Sequence, residues 1–271
     1  MRVNLFKCLA PLFCILFTFT AQADDLVFEG DYVFSWSGLR LGKLHLQMQQ
    51  NDSDYAITSK VKTAGIVAFF SNHKSTTKVS GNVKSNQFHP TYYRSDYRSS
   101  NTDKSIELNY DAKGKVTKEE ILPWRGARPE VSNDLKTGVA DSLTAIFAMR
   151  EQIKTALKSG TKKITVPVFD GIRRFDLEAR VINTNTSIFL DDKQIQTVKL
   201  GLKRIPLGGF KEKEIKKLTK GEPELEFFIE KENFTLLGLQ VVLYGGTVMA
   251  WLKDSCTNTA CSAQPKNVAS N

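Results

Sequence analysis

The stretch Lys43–Met48 reads KLHLQM and alternates polar with apolar side chains at every position. Successive side chains of a β-strand point to opposite faces, so this period of two predicts a strand with one buried face and one exposed face. The same alternation returns shortly afterwards, where Tyr55, Ile57 and Val61 share one face. The two runs together predict neighbouring strands of an antiparallel sheet.

Similar alternation covers much of the remaining chain. It recurs at Ile106–Tyr110, Phe175–Val181, Val198–Leu202, Leu225–Ile229, Leu239–Leu243 and Val248–Leu252. Short turn signals separate most runs, which predicts about eleven to thirteen strands. The expected fold is mainly β, a large antiparallel curved sheet or barrel-like fold with one amphipathic helix.

That helix is predicted between Gly138 and Leu157, where apolar residues follow helical spacing. Either Thr137 or Asp141 can cap its start, and Gly160 can end it. A single amphipathic helix among many strands is expected to lie against the sheet or to fill the mouth of a barrel.

The first residues of the chain have the pattern of a secretory signal peptide. Arg2 and Lys7 precede an apolar run, Leu9–Thr20, and Ala21–Ala23 fits a small-residue cleavage site. A retained membrane anchor is the alternative, but the run is too short to span a bilayer. We therefore expect cleavage after Ala23 and an exported, periplasmic protein that does not span the membrane.

The mature chain has no polar linker, so residues 24–255 are expected to form a single β-rich domain, followed by a C-terminal tail at 256–271. After signal removal only Cys256 and Cys261 remain. In an oxidising compartment this close pair is most simply a disulfide, and no histidine lies near enough in sequence to suggest zinc.

The whole chain has a formal net charge of +9. In an exported protein this charge favours anionic envelope surfaces as partners, such as lipid head groups, over nucleic acid. The alternative is that the dispersed lysines only keep the protein soluble. The segment 211–220 is the most basic and predicts either a short helix or a hairpin tip that contacts such a surface; a merely solvated turn is the alternative. The contact residues would be Lys211, Lys213, Lys216, Lys217 and Lys220.

No motif fixes a reaction. His45, His73 and His89 lack the spacing of metal ligands, and the chain contains neither a nucleophile elbow nor a glycine-rich phosphate loop. We therefore predict no catalytic residue, no metal site and no cofactor, and an enzyme is the less favoured class.

One apolar run interrupts the strand pattern at 64–70, AGIVAFF. Burying each of its two phenylalanines is worth about 1.5–3 kcal/mol, so the run should cover something apolar. Two interpretations remain open: a plug for the protein's own core, or a lip for a bound lipid. On the second, the ligand-binding residues would be Ile66, Val67, Phe69, Phe70, Leu143, Ile146 and Phe147.

The order of several short motifs resembles an exported bacterial family known as domain of unknown function 3108. The matching stretches are YVFSWSGLRLG at Tyr32–Gly42, the interruption after Thr63–Gly65, His89–Pro90 with Tyr92–Tyr93, Asp141–Arg150, Val168–Gly171 and Gly245–Val248. The resemblance covers roughly residues 28–253 and implies an all-β, curved or barrel-like exported protein. It implies no activity.

The leading hypothesis is a periplasmic, non-enzymatic binding or envelope-maintenance protein that holds an apolar or amphipathic, lipid-like ligand in a curved sheet. One alternative is an envelope scaffold with a dry core that recruits partners through its edges. The other is an enzyme that acts on envelope glycan or lipid.

Overall fold

The computed structural model describes residues 26–64, 72–123, 128–190, 192–219, 225–243 and 246–258. Within these ranges the chain forms thirteen β-strands, two α-helices and one short 3₁₀ helix. The strands are β1 (Leu26–Trp36), β2 (Leu39–Gln50), β3 (Asp54–Thr63), β4 (Lys74–Lys84), β5 (Gln87–Ser99), β6 (Thr102–Tyr110), β7 (Val116–Leu122), β8 (Lys163–Phe169), β9 (Arg174–Leu190), β10 (Lys193–Gly208), β11 (Leu225–Glu230), β12 (Leu236–Leu243) and β13 (Gly246–Thr257). The helices are α1 (Ser142–Ser159) and α2 (Glu212–Leu218), and the 3₁₀ helix is Asn133–Lys136.

All thirteen strands belong to one antiparallel, curved, open sheet in the order β7-β6-β5-β4-β3-β2-β1-β13-β12-β11-β10-β9-β8. Consecutive strands are neighbours in the sheet, except β7 and β8, which lie at its two edges. β1 pairs with β13 from Phe28 opposite Thr257 to Trp36 opposite Val248. This single non-local pairing joins the two halves of the chain, and it leaves β7 and β8 as the edge strands. The predicted mainly β, antiparallel curved fold is confirmed.

A short extended segment bridges the two edges of the sheet. Gly138 N donates to Gly114 O in the β6–β7 turn at 3.0 Å. Ala140 N donates to Pro167 O, and Phe169 N donates to Ala140 O, both at 2.9 Å. Residues 138–140 are therefore held between the β6–β7 hairpin and β8, which makes the open sheet barrel-like.

The alternating side chains face the core as predicted. Leu46 and Met48 of β2 are buried, whereas Gln47 between them is partly exposed. Val198 and Leu200 of β10 are fully buried. The inward side of these strands is therefore mainly apolar, and burying each such side chain is worth about 1.5–3 kcal/mol.

The predicted helix is present, but it begins four residues later than its apolar pattern suggested. Asp141 is the N-cap, and its carboxylate accepts hydrogen bonds from Leu143 N and Thr144 N. Gly160 ends the helix with a φ of 72°, a left-handed conformation that glycine adopts without strain. Residues 138–140 are not helical, because their backbone groups bond to β8 and to the β6–β7 turn.

Helix α1 lies between two apolar clusters on the buried side of the sheet. Phe147 packs with side chains of β1–β6, including Leu46 and Met48. Met149 and Ile153 pack with side chains of β8–β11. The helix therefore lies against the concave side of the sheet, one of the two positions expected for it.

Candidate functional site

A cavity of about 330 Å³ lies between α1 and the sheet, and we call it the α1 cavity. Its walls come from β1, β2, α1, β11, the β11–β12 turn and the end of β13. Aromatic and aliphatic side chains dominate these walls, among them Phe28, Leu46, Phe147, Phe227 and Ile229. A concave, mainly apolar space with few polar groups is typical of small-molecule sites.

The helix supplies the floor of the cavity through Ile146, Phe147, Met149, Arg150 and Ile153. Residues three and four apart lie on the same side of a helix, so these five side chains form one continuous strip. Phe147, Met149 and Ile153 are buried and hold the helix in the two clusters. Ile146 and Arg150 are only partly buried, and both line the cavity.

Arg150 is the charged group of the cavity wall. Its Nη2 donates to the backbone oxygen of Asn233 in the β11–β12 turn at 3.4 Å. Its Nε is buried and makes no hydrogen bond to any described residue. Nε lies 3.9 Å from Oε1 of Glu151, which is too far for a hydrogen bond.

Neutral polar groups complete the wall near Arg150. The Tyr32 hydroxyl donates to Leu236 O at 2.7 Å. Burial raises the pKa of Tyr32, and the positive charge of Arg150 only partly opposes this effect, so the phenol stays protonated at neutral pH. The described lining of the cavity thus combines apolar side chains with the cation of Arg150 and with hydroxyl and amide groups.

A buried polar cluster anchors the start of α1 outside the cavity. Asp141 Oδ1 accepts from Leu143 N and Thr144 N at 2.9 Å each, and Thr144 Oγ1 lies 2.9 Å from the Tyr55 hydroxyl. Burial raises the pKa of Asp141 above its usual range. The geometry is that of a helix cap, so we assign Asp141 a structural role.

A second hollow, of about 850 Å³, lies on the other side of α1 against the β4–β5 hairpin and β8. It is larger but more open, and several charged side chains line it. Two of them, Glu151 and Lys154, pair with each other at 2.7 Å. Because this hollow is wide and already internally paired, the α1 cavity is the better candidate site.

The family model described as protein of unknown function (DUF3108) matches residues 31–251. The chain belongs to the DUF3108 family. This match confirms the resemblance carried by the motifs, and the family description assigns no activity. No curated protein matches the chain. Among solved structures, the chain is similar to a β-barrel-like protein of domain of unknown function DUF1849 from Brucella abortus, with 10% sequence identity, 87% of this chain and 98% of that chain covered, and a TM-score of 0.48.

In this DUF3108 chain, the structure brings two of the predicted ligand residues, Ile146 and Phe147, to the α1 cavity. Leu143 does not line it, because it packs against the cluster on the β1–β6 side. The other four predicted residues, Ile66, Val67, Phe69 and Phe70, lie outside the described part of the chain. Their role stays a prediction.

The basic segment forms a short helix at its centre, as one of the two predicted conformations. Lys213, Lys216 and Lys217 lie on α2 and are exposed, as is Lys211 just before it. Lys216 pairs with Glu212 at 2.6 Å, which leaves less charge for an external partner. Lys220 lies outside the described residues.

Several other predictions fall on residues that the structure does not describe. Cys256 is buried in β13, but Cys261 lies beyond residue 258, so the disulfide stays a prediction. The signal peptide also lies outside the described ranges. Among the described residues, neither helix has the length and apolar character to cross a membrane, and no three metal-binding side chains come together.

Arg150 is the charged residue of the cavity wall, and sequence reasoning missed it. It follows Ile146 by four positions and Phe147 by three, so all three share one face of a helix. A cation within an otherwise apolar face was the available signal. Whether this cation faces a cavity depends on the β11–β12 turn, which contacts it through Asn233, 83 residues further along the chain.

Proposed function

We propose that the protein is a non-enzymatic binding protein of the periplasm that holds one apolar or amphipathic, lipid-like molecule in the α1 cavity. The single observation that carries this proposal is the cavity itself. Its volume of about 330 Å³ is at the small end of the range of about 300–1,000 Å³ for ligand sites. Its walls are apolar, and they include two residues predicted to contact a ligand.

The periplasmic part of the proposal rests on the amino-terminal sequence. The segment up to Ala23 has the three regions of a signal peptide, and Cys256 with Cys261 would form a disulfide after export. The exposed lysines at and near α2 would then meet anionic envelope surfaces. Determining the amino terminus of the protein recovered from a periplasmic fraction tests the location.

Ligand binding is tested by native mass spectrometry and lipid extraction of the purified protein. We expect the wild type to carry a lipid-like molecule, and Ile146→Trp to exclude it because the larger ring fills the cavity beside α1. Thr155→Trp is the matched control, since Thr155 is exposed on the same helix and lies outside the cavity. A wild-type protein that is reproducibly empty and takes up no added lipid would refute the proposal.

A dry-core scaffold is the second candidate, and an exposed apolar tip favours it. Trp36 pairs with Leu39 and lies opposite Val248, while Val242 lies opposite Thr247, so Trp36, Leu39 and Val242 share one end of the sheet. All three are exposed, Val242 by 75%. Exposed apolar groups at one end favour protein contacts. An empty cavity together with a stable complex that Leu39→Ser disrupts would favour this candidate.

A further inference from the structure

The α1 cavity has a charge preference. Among its described lining residues Arg150 is the only charged side chain, and the remaining polar groups are neutral. A guanidinium is always protonated at neutral pH, so any molecule in this cavity meets one fixed positive charge. The charge of a ligand, and not only its apolar surface, therefore determines how well it fits the cavity.

The charge of Arg150 is incompletely paired among the described residues. The nearest carboxylate within them is that of Glu151, whose Oε1 lies 3.9 Å from Nε. Both oxygens of Glu151 accept hydrogen bonds from Lys154 Nζ, at 2.7 and 2.9 Å. Glu151 therefore pairs mainly with Lys154. Among the described residues, the guanidinium of Arg150 then keeps one long hydrogen bond, from Nη2 to Asn233 O.

A buried N–H group of a cation costs free energy when it has no hydrogen-bond acceptor, unless a ligand supplies one. The side chain of Arg150 is 23% exposed, so a ligand can reach it from the cavity. Guanidinium groups bind carboxylates and phosphates through paired, charge-assisted hydrogen bonds. The chemistry that fits here is an anionic head group.

The volume restricts the rest of the molecule. At about 330 Å³ the cavity lies at the low end for ligand sites, so it suits one chain rather than a lipid with several. Phe147, Phe227 and Ile229 provide apolar walls for that chain. Building on the proposed function, we infer that the ligand is a single-chain amphiphile whose carboxylate or phosphate head pairs with Arg150 and whose tail lies along these walls.

The test compares twelve-carbon probes that carry different head groups. Dissociation constants for dodecanoate, dodecyl phosphate, dodecanol and dodecylamine are measured by calorimetry on wild type, Arg150→Gln, Arg150→Lys and Lys158→Gln. Lys158 is the matched control, because it is an exposed cation on the same helix outside the cavity. Wild type and Lys158→Gln are expected to bind the better anion about tenfold more tightly than dodecanol.

Arg150→Gln is expected to lose that tenfold preference while its affinity for dodecanol stays unchanged. Arg150→Lys is expected to keep part of the preference, since it keeps the charge. Preference for carboxylate over phosphate, or the reverse, identifies the head group within the inference. If Arg150→Gln binds neither class, Arg150→Lys decides: a retained preference supports the inference, and a lost preference overturns it.

The outcomes separate this inference from the proposed function. Equal wild-type affinity for dodecanol and both anions, or tighter binding of dodecylamine, overturns the role of Arg150 but leaves a lipid-binding cavity. No binding of any probe by the wild type refutes both.

Discussion

Asp141 offers the sharpest test of how α1 is held inside the sheet. We expect Asp141→Ala to destabilise the protein, because it removes the acceptor of the Leu143 and Thr144 amides, both at 2.9 Å. Asp141→Asn keeps one carbonyl oxygen in the same place and should preserve both hydrogen bonds. The pair of variants separates acceptor geometry from negative charge.

The magnitude follows from the burial of the cap. Loss of an N-cap costs about 0.5–2 kcal/mol, and an unpaired buried amide costs about 1–3 kcal/mol. The two effects overlap, so we expect Asp141→Ala to lower the free energy of unfolding by about 2–3 kcal/mol. For a domain of this size that corresponds to a melting temperature lower by about 4–12 °C. Asp141→Asn should stay within about 1 kcal/mol of wild type, since Oδ2 has no partner among the described residues to lose.

The two proteins should also differ in their dependence on pH. Burial raises the pKa of Asp141 in the folded state, so the folded protein binds this proton more tightly than the unfolded chain does. The corresponding stabilisation is complete below the unfolded pKa of about 3.9 and is lost as pH rises through the folded pKa. Wild type should therefore lose stability relative to Asp141→Asn as pH rises from about 4.

Urea denaturation and thermal melts followed by circular dichroism measure both effects. If Asp141→Asn were as unstable as Asp141→Ala, the charge rather than the acceptor position would hold the helix. If Asp141→Ala matched wild type, the cap would contribute nothing, and the reasoning from burial would be refuted.

Two further predictions concern the sheet and the loop before α1. Gly81→Ala should lower the free energy of unfolding by about 1–3 kcal/mol, because its methyl group would collide with His89 O and the Tyr55 ring. Urea denaturation measures this loss, and an unchanged midpoint would contradict the close packing at Gly81. Glu214 receives two hydrogen bonds from Arg128, at 2.9 and 3.1 Å, which lower its pKa to about 2. Glu214→Gln should therefore cost about 0.2–1 kcal/mol at neutral pH, and denaturation curves of the two proteins should converge as pH falls towards about 2, since protonation removes the same pair. A difference that persists there would contradict the assignment.

Local features were predictable from the sequence because neighbouring residues determine them. The burial of Leu46 and Met48 follows from the two-residue period of a strand. Asp141, one of the two predicted caps, begins the helix and Gly160 ends it, since capping depends on side chains and φ angles within one turn. The predicted start at Gly138 was wrong because residues 138–140 bond to β8 and to the β6–β7 turn instead.

The site was predictable only in part. The apolar face of the helix indicated Ile146 and Phe147, which do line the cavity, but it indicated Leu143 equally, which packs into the core. A pattern of periodicity shows which face of an element is buried, but it does not show what lies opposite. Arg150 was passed over for the same reason, because its surroundings come from β1, β11 and the β11–β12 turn.

By itself the sequence determined a mainly β chain, its strands, its one long helix and the DUF3108 membership. Only the tertiary structure decided that β1 pairs with β13, that the helix lies between two clusters, and that a cavity remains beside it with Arg150 in its wall. The physical reason is distance along the chain. Helix caps and the alternation of side chains depend on residues close in sequence, whereas a cavity is the space that remains after surfaces far apart in sequence have packed.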